Sequence, residues 1–114
     1  MSPITTHVLD TSLGCPASGV AVELARADGE VWTLLAEAST NQDGRIADLL
    51  PLASVAPGTY RLRFQTHSYF ARRGQPSFYP HVDVVFTIES GAEGAHYHVP
   101  LLLNPFGYST YRGS

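Results

Sequence analysis

His96 and His98 stand one residue apart in a run, Ala95 to Leu103, that reads as a β-strand. Strand geometry sends alternate side chains to opposite faces, so His96, His98 and Pro100 share one face while Tyr97, Val99 and Leu101 take the other. An imidazole changes charge near neutral pH, and a pair on one face suits proton transfer to and from a reacting group. From this strand alone, two solvated surface histidines would fit as well. His7 sits in an apolar first strand beside Val8 and Leu9 and, by itself, reads as structural. Arg45 follows an Asp43-Gly44 turn, which puts its guanidinium at a strand mouth where it suits an oxyanion, although a single arginine beside a turn is ordinarily just solvated. A metal reading would take His7, His96 and His98 as three nitrogen ligands, but no carboxylate or cysteine is spaced to complete the set. Ser68, Ser109 and Thr110 have no Gly-x-Ser-x-Gly setting, so a serine nucleophile finds no support.

A further signal is the ending Tyr111-Arg112-Gly113-Ser114, a polar tetrapeptide directly after the dense apolar and aromatic run His96 to Thr110. That run reads as two strands joined at Asn104-Pro105, which predicts that the last residues are held by the sheet and can take part in a site.

The elements that must position these residues are short, β-rich and closely spaced. Ile4 to Leu9 leads to a Gly14-Cys15-Pro16 loop, Val20 to Leu24 to an Asp28-Gly29 turn, and Val31 to Ala38 to an Asn41-Gln42-Asp43-Gly44 turn, with Arg45 to Leu50 as a short fourth run. After Pro57-Gly58, the segment Thr59 to Phe64 alternates cleanly, placing Tyr60, Leu62 and Phe64 on a core face and Thr59, Arg61 and Arg63 on a wet one. His67 to Arg73 lacks alternation and ends at Gly74, which predicts one short helix of about two turns with a glycine stop and Arg72-Arg73 on its wet face. His81 to Ile88, Ala95 to Leu103 and Phe106 to Arg112 complete about eight strands. Short strands joined by Gly, Pro and Asp turns predict an all-β, two-sheet antiparallel β-sandwich rather than a βαβ fold.

A chain of 114 residues has room for one domain, spanning residues 1–114, with a core of its own. Apolar residues make up 44% and charged ones 15%, which excludes a disordered chain and suggests that some apolar surface is buried between subunits. The formal net charge is −3, there is no lysine, and the arginines are scattered apart from Arg72-Arg73, so nucleic acid is excluded as the main partner. Cys15 is the sole cysteine, which rules out an intrachain disulfide and a cysteine zinc site. No signal peptide, membrane span or peroxisomal address is evident, so the expectation is a cytoplasmic protein with no membrane partner.

Taken together, His7-Val8-Leu9-Asp10, Gly44-Arg45, the run His96-Tyr97-His98-Val99-Pro100-Leu101-Leu102-Leu103-Asn104-Pro105 and the terminal Tyr111-Arg112-Gly113-Ser114 resemble the 5-hydroxyisourate hydrolase family, the transthyretin-related proteins of purine catabolism. The resemblance spans nearly the whole chain, and the terminal tetrapeptide is its most specific part. It implies a prealbumin-like sandwich that pairs edge to edge and assembles into a homotetramer, a dimer of dimers with active sites in a channel between dimers. It implies the ring-opening hydrolysis of 5-hydroxyisourate to 2-oxo-4-hydroxy-4-carboxy-5-ureidoimidazoline, a cyclic amide hydrolase reaction in urate degradation, with no cofactor and no metal. The implied catalytic residues are His7, Arg45, His98 and Ser114, and the implied substrate-binding residues are His7, Arg45, His98 and Tyr111. The family histidine is the one directly before Val99-Pro100, so the resemblance assigns His98, leaves His96 without a role, and does not say which histidine is the base. Two other readings stay open: a transthyretin-like carrier that holds an aromatic ligand in the channel without turnover, and a structural sandwich domain of the kind appended to peptidases.

Overall fold

A computed structural model of the chain describes residues 2–50, 55–90 and 95–113. Among these residues, nine strands and one helix form in chain order: β1 (Ile4–Asp10), β2 (Cys15–Pro16), β3 (Ala21–Asp28), β4 (Val31–Ser39), β5 (Arg45–Ile46), β6 (Gly58–Phe64), α1 (Thr66–Arg72), β7 (Val82–Ile88), β8 (Tyr97–Asn104) and β9 (Gly107–Thr110). They make two sheets. One runs β2-β1-β8-β9, with β5 also paired to β1, and the other runs β4-β3-β6-β7. The sandwich expected from the alternating strands is present, and Tyr60, Leu62 and Phe64 are buried as the β6 pattern requires.

The alternation of each strand builds the core between the sheets. Ile4, Val8, Tyr97, Val99, Leu101 and Leu103 from one sheet meet Val22, Leu24, Leu62, Phe64, Val82 and Ile88 from the other in one buried cluster. Water removal from this surface is the main force holding the sheets together.

Several details of the strands differ from the sequence expectation. The β1–β8 ladder is parallel, whereas every other ladder among the described residues is antiparallel; no hairpin joins β1 to β8, so no local turn imposes an antiparallel direction on them. The Gly14-Cys15-Pro16 loop contains the short strand β2. The run from Arg45 holds strand geometry only to Ile46, after which Leu49 and Leu50 turn into the core. The final strand ends at Thr110 rather than Arg112.

The predicted helix forms one residue early, and its end has a clear physical cause. Gly74 adopts φ 68°, Gly74 N–H donates to Ala71 C=O at 3.0 Å and Gln75 N–H to Phe70 C=O at 3.0 Å, the paired bonds of a Schellman stop. Tyr69 and Phe70 bury the helix against the sandwich. The Tyr69 hydroxyl donates to Asp10 Oδ2 at 2.7 Å, tying the helix to the end of β1, and burial followed by this bond pushes the phenol up to about 12. Asp10 is fully buried, and its other oxygen accepts from Ser12 N–H at 3.0 Å, so the buried carboxylate keeps its partners.

Candidate active site

Arg45 owes its place to a tight turn. Asn41 Oδ1 accepts from Asp43 N–H at 2.9 Å and from Arg45 N–H at 3.0 Å, while Gly44 N–H donates to Asn41 C=O at 2.9 Å. Gly44 has φ 73°, and a Cβ there would collide with the Val8 carbonyl oxygen. Only glycine lets the turn press against β1 closely enough for Val8 N–H to donate to Gly44 C=O at 2.7 Å. The reward is register: β5 pairs β1 with Arg45 opposite His7. The predicted strand-mouth arginine is therefore bound into the same ladder as the predicted histidine.

The parallel β1–β8 ladder then sets Thr5 beside His98 and His7 beside Pro100. Thr5, His7 and His98 share the outer face of this sheet, while Thr6 points inward and donates to Val99 C=O at 2.6 Å. Thr5 Oγ1 lies 2.9 Å from His98 Nδ1 and 2.9 Å from His96 Nε2. His96 itself precedes β8, but the two imidazole rings are only 6.4 Å apart between centroids.

The end of β9 and the residues after it return to the same place. Thr110 Oγ1 donates to Pro100 C=O at 2.6 Å, Arg112 carries its guanidinium 4.8 Å over the Tyr97 ring, and Gly113 N–H donates to His98 C=O at 2.8 Å. The expectation that the sheet holds these residues is met as far as Gly113. A Cβ at Gly113 would stand 2.6 Å from His98 Cδ2 and 3.2 Å from Cγ, so the close approach of backbone to ring is what calls for glycine there. Ser114 lies outside the described residues.

His98 is the electrostatically distinctive member of the group. Burial, then the positive charge of Arg45, then His96 and His7, lower its pKa below the ordinary 6.5. It is therefore a neutral imidazole at pH 7, able to accept a proton.

Two cavities meet at this ring. A pocket of about 420 Å³ is lined by Thr5, Thr6, Arg45, Ile46, Ala47, His96 and His98, so Arg45 and His98 are in its wall and His7 is not. An apolar cavity of about 240 Å³ on the other side runs between β7 and the end of β9, with Val84, Phe86, Tyr97, His98, Tyr111 and Arg112 in its wall. Tyr111 thus lines the apolar cavity rather than the Arg45 pocket. His7 stands opposite Arg45 in the β1–β5 ladder, and Arg45 and His98 share a pocket wall. Among the described residues no three His, Cys, Asp or Glu side chains are grouped to hold a metal ion, and no helix is long and apolar enough to cross a membrane. Sequence reading missed Thr5, a threonine in a strand being unremarkable until the parallel partner is known.

Three comparisons place the chain among known proteins. A family model described as "HIUase/Transthyretin family" matches residues 4–113. The 5-hydroxyisourate hydrolase of Mus musculus is 51% identical over 115 residues, covering 99% of this chain and 96% of its own length. The solved structure of Klebsiella pneumoniae 5-hydroxyisourate hydrolase matches with TM-score 0.85 at 40% identity, covering 97% of this chain and 98% of its own. A transthyretin from Sparus aurata matches with TM-score 0.91 at 31% identity, covering 99% and 97%. Backbone similarity does not separate the two branches, whereas identity is higher towards the hydrolases. Matched across nearly its full length by the family model, by a relative of 51% identity and by a solved structure, the chain belongs to the HIUase/Transthyretin family.

Proposed function

We propose that this chain is a hydrolase that opens the ring of 5-hydroxyisourate in urate degradation, yielding 2-oxo-4-hydroxy-4-carboxy-5-ureidoimidazoline. The observation that carries the reading is geometric: His7 stands opposite Arg45 in the ladder, and Arg45 and His98 both line the 420 Å³ pocket. Relatives named for this hydrolysis support it.

The chemistry follows from the side chains. Water adds through oxygen to the ring carbonyl carbon while His98 takes its proton, and the carbonyl oxygen becomes negative. The Arg45 guanidinium stabilises that oxyanion. The ring C–N bond then breaks, and the departing nitrogen takes the proton back from His98. His7, paired opposite Arg45, orients the substrate. Tyr111 and Ser114 complete the site in the assembled protein, where parts of the channel come from neighbouring subunits.

Assembly as a homotetramer is part of this proposal. β7 and β9 each close one sheet, flank the 240 Å³ apolar cavity and expose Val85 and Tyr108, a surface suited to edge-to-edge pairing with a second copy. The protein acts in the cytoplasm, without a membrane or nucleic-acid partner.

The test is to generate 5-hydroxyisourate in situ with urate oxidase and follow its ultraviolet absorbance. Accelerated decay with formation of product supports the hydrolase. Depletion of free ligand in proportion to protein, without product, would replace it with a carrier.

A further inference from the structure

A hydroxyl group carries one hydrogen, yet Thr5 Oγ1 is within 2.9 Å of a ring nitrogen of both His96 and His98. At least one of those nitrogens must therefore supply its own N–H. The two rings are linked through a single atom, and the tautomer of one constrains that of the other.

The surroundings of the rings differ. His98 lies under Gly113 and next to Arg45, while His96 is exposed to solvent. A positive charge on His98 would sit half-buried beside a guanidinium, and the same charge on His96 would be hydrated.

We propose that Thr5 is a positioning residue that joins His96 to His98 as a proton relay, accepting from His98 Nδ1–H and donating to His96 Nε2. Nδ1 of His98 is then engaged, and Nε2 is the unprotonated nitrogen available to water in the pocket. As Nε2 takes the water proton, the Nδ1 proton moves to Thr5 Oγ1 and the Thr5 proton moves to His96 Nε2. His98 stays neutral in its other tautomer, and the imidazolium forms on the exposed His96. When the ring C–N bond breaks, His98 Nε2 gives its proton to the departing nitrogen and the relay runs backwards, leaving every group as it began. The inference rests on the hydrolase reading above and gives His96 a role that the family resemblance does not assign.

Thr5→Val removes the hydroxyl while keeping a β-branched shape that suits the strand. The expected result is a turnover number about tenfold to a hundredfold lower, with KM unchanged and the melting temperature close to the parent. Thr5→Ser restores turnover to within about threefold. His96→Gln is expected to lose a similar amount, and the double variant Thr5→Val/His96→Gln no more than either single one, because both interrupt one chain of bonds. Nitrogen-15 NMR of the imidazoles at neutral pH gives a readout apart from activity: His98 should carry its proton on Nδ1 in the parent and lose that preference in Thr5→Val. Parental turnover in Thr5→Val, additive losses in the double variant, or an Nε2–H tautomer for His98 in the parent would overturn the relay alone. A parent protein inactive on 5-hydroxyisourate would overturn the hydrolase reading and the relay with it.

Discussion

Two arginines on the outer faces of the two sheets show the difference between a charge that holds structure and one that is left for a ligand. Arg63 on β6 faces Asp83 on β7 directly across the ladder, with Nε 2.8 Å from Oδ1 and Nη2 3.0 Å from Oδ2. The two-pronged hydrogen bond raises the Arg63 pKa and holds the Asp83 carboxyl below its ordinary 3.8. Arg45 on β5 faces His7 instead, and among the described residues no carboxylate comes within ion-pair distance of it. Among the described residues no carboxylate cancels its charge at the pocket, and that charge bears on His98. An arginine whose fork is already filled cannot stabilise a new anion, while one surrounded by imidazoles can.

The largest effect should come from removing either half of that unfilled site. Arg45→Ala and His98→Ala, made separately, are expected to lower turnover by about a hundredfold to a thousandfold with little change in melting temperature, since neither is part of the apolar core. Arg63→Ala should turn over at the parental rate. Steady-state kinetics of the three variants test the contrast directly, and an Arg63→Ala loss as deep as that of Arg45→Ala would erase it.

A second way to sharpen the comparison leaves every charge in place. Gly113→Ala puts a methyl group where His98 now lies, 2.6 Å from Cδ2, so the ring must move relative to Arg45 and Thr5. A displacement of about an ångström in a positioned group can cost a hundredfold, and a turnover loss of about tenfold to a hundredfold is expected. Kinetics together with circular dichroism separate this from unfolding.

The pH dependence should carry the signature of the same site. Turnover needs neutral His98, whose folded pKa is below 6.5, so the rate is expected to be level at neutral pH and to fall as pH drops through that lower value. Stability follows the same sign: between the folded and unfolded pKa values the unfolded chain binds more protons, so the His98 contribution is full above 6.5 and is lost as pH falls. Arg45→Gln removes one of the positive charges responsible, so NMR titration of His98 should show its midpoint rising towards 6.5. An unmoved midpoint would mean that Arg45 does not bear on the ring.

The smallest effect belongs to the paired arginine. Both members of the Arg63–Asp83 bridge are partly exposed, and removing either should cost about 1 kcal/mol or less in chemical denaturation at neutral pH. Asp83 has a lowered folded pKa, so this contribution is present above the unfolded value and disappears as pH falls through the folded one. A loss of several kcal/mol would show that the pair is far more shielded from water than its exposure indicates.

Much of this architecture was already legible in local patterns. Period-two alternation placed Tyr60, Leu62 and Phe64 in the core, Gly74 marked the helix stop, and the Asp43-Gly44 turn put Arg45 at a strand mouth. These are short-range constraints, written in neighbouring residues by sterics and water exclusion. The family resemblance supplied the grouping of His7, Arg45 and His98, which no local pattern could connect because their contacts span most of the chain.

The sequence by itself determined which side of each strand would be apolar, where the chain would turn, and that imidazoles and a guanidinium were available for proton transfer. Only the tertiary structure decided that β1 and β8 run parallel with Thr5 beside His98, that Gly113 closes over that ring, and that Tyr111 turns to the apolar cavity. Ladder direction and register between strands some ninety residues apart depend on how two whole sheets bury their apolar faces together, a balance to which every core residue contributes. Thr5 and Thr6 are adjacent and chemically identical, yet one is bound to a carbonyl in the core and the other stands between two histidines, a distinction made by the fold alone.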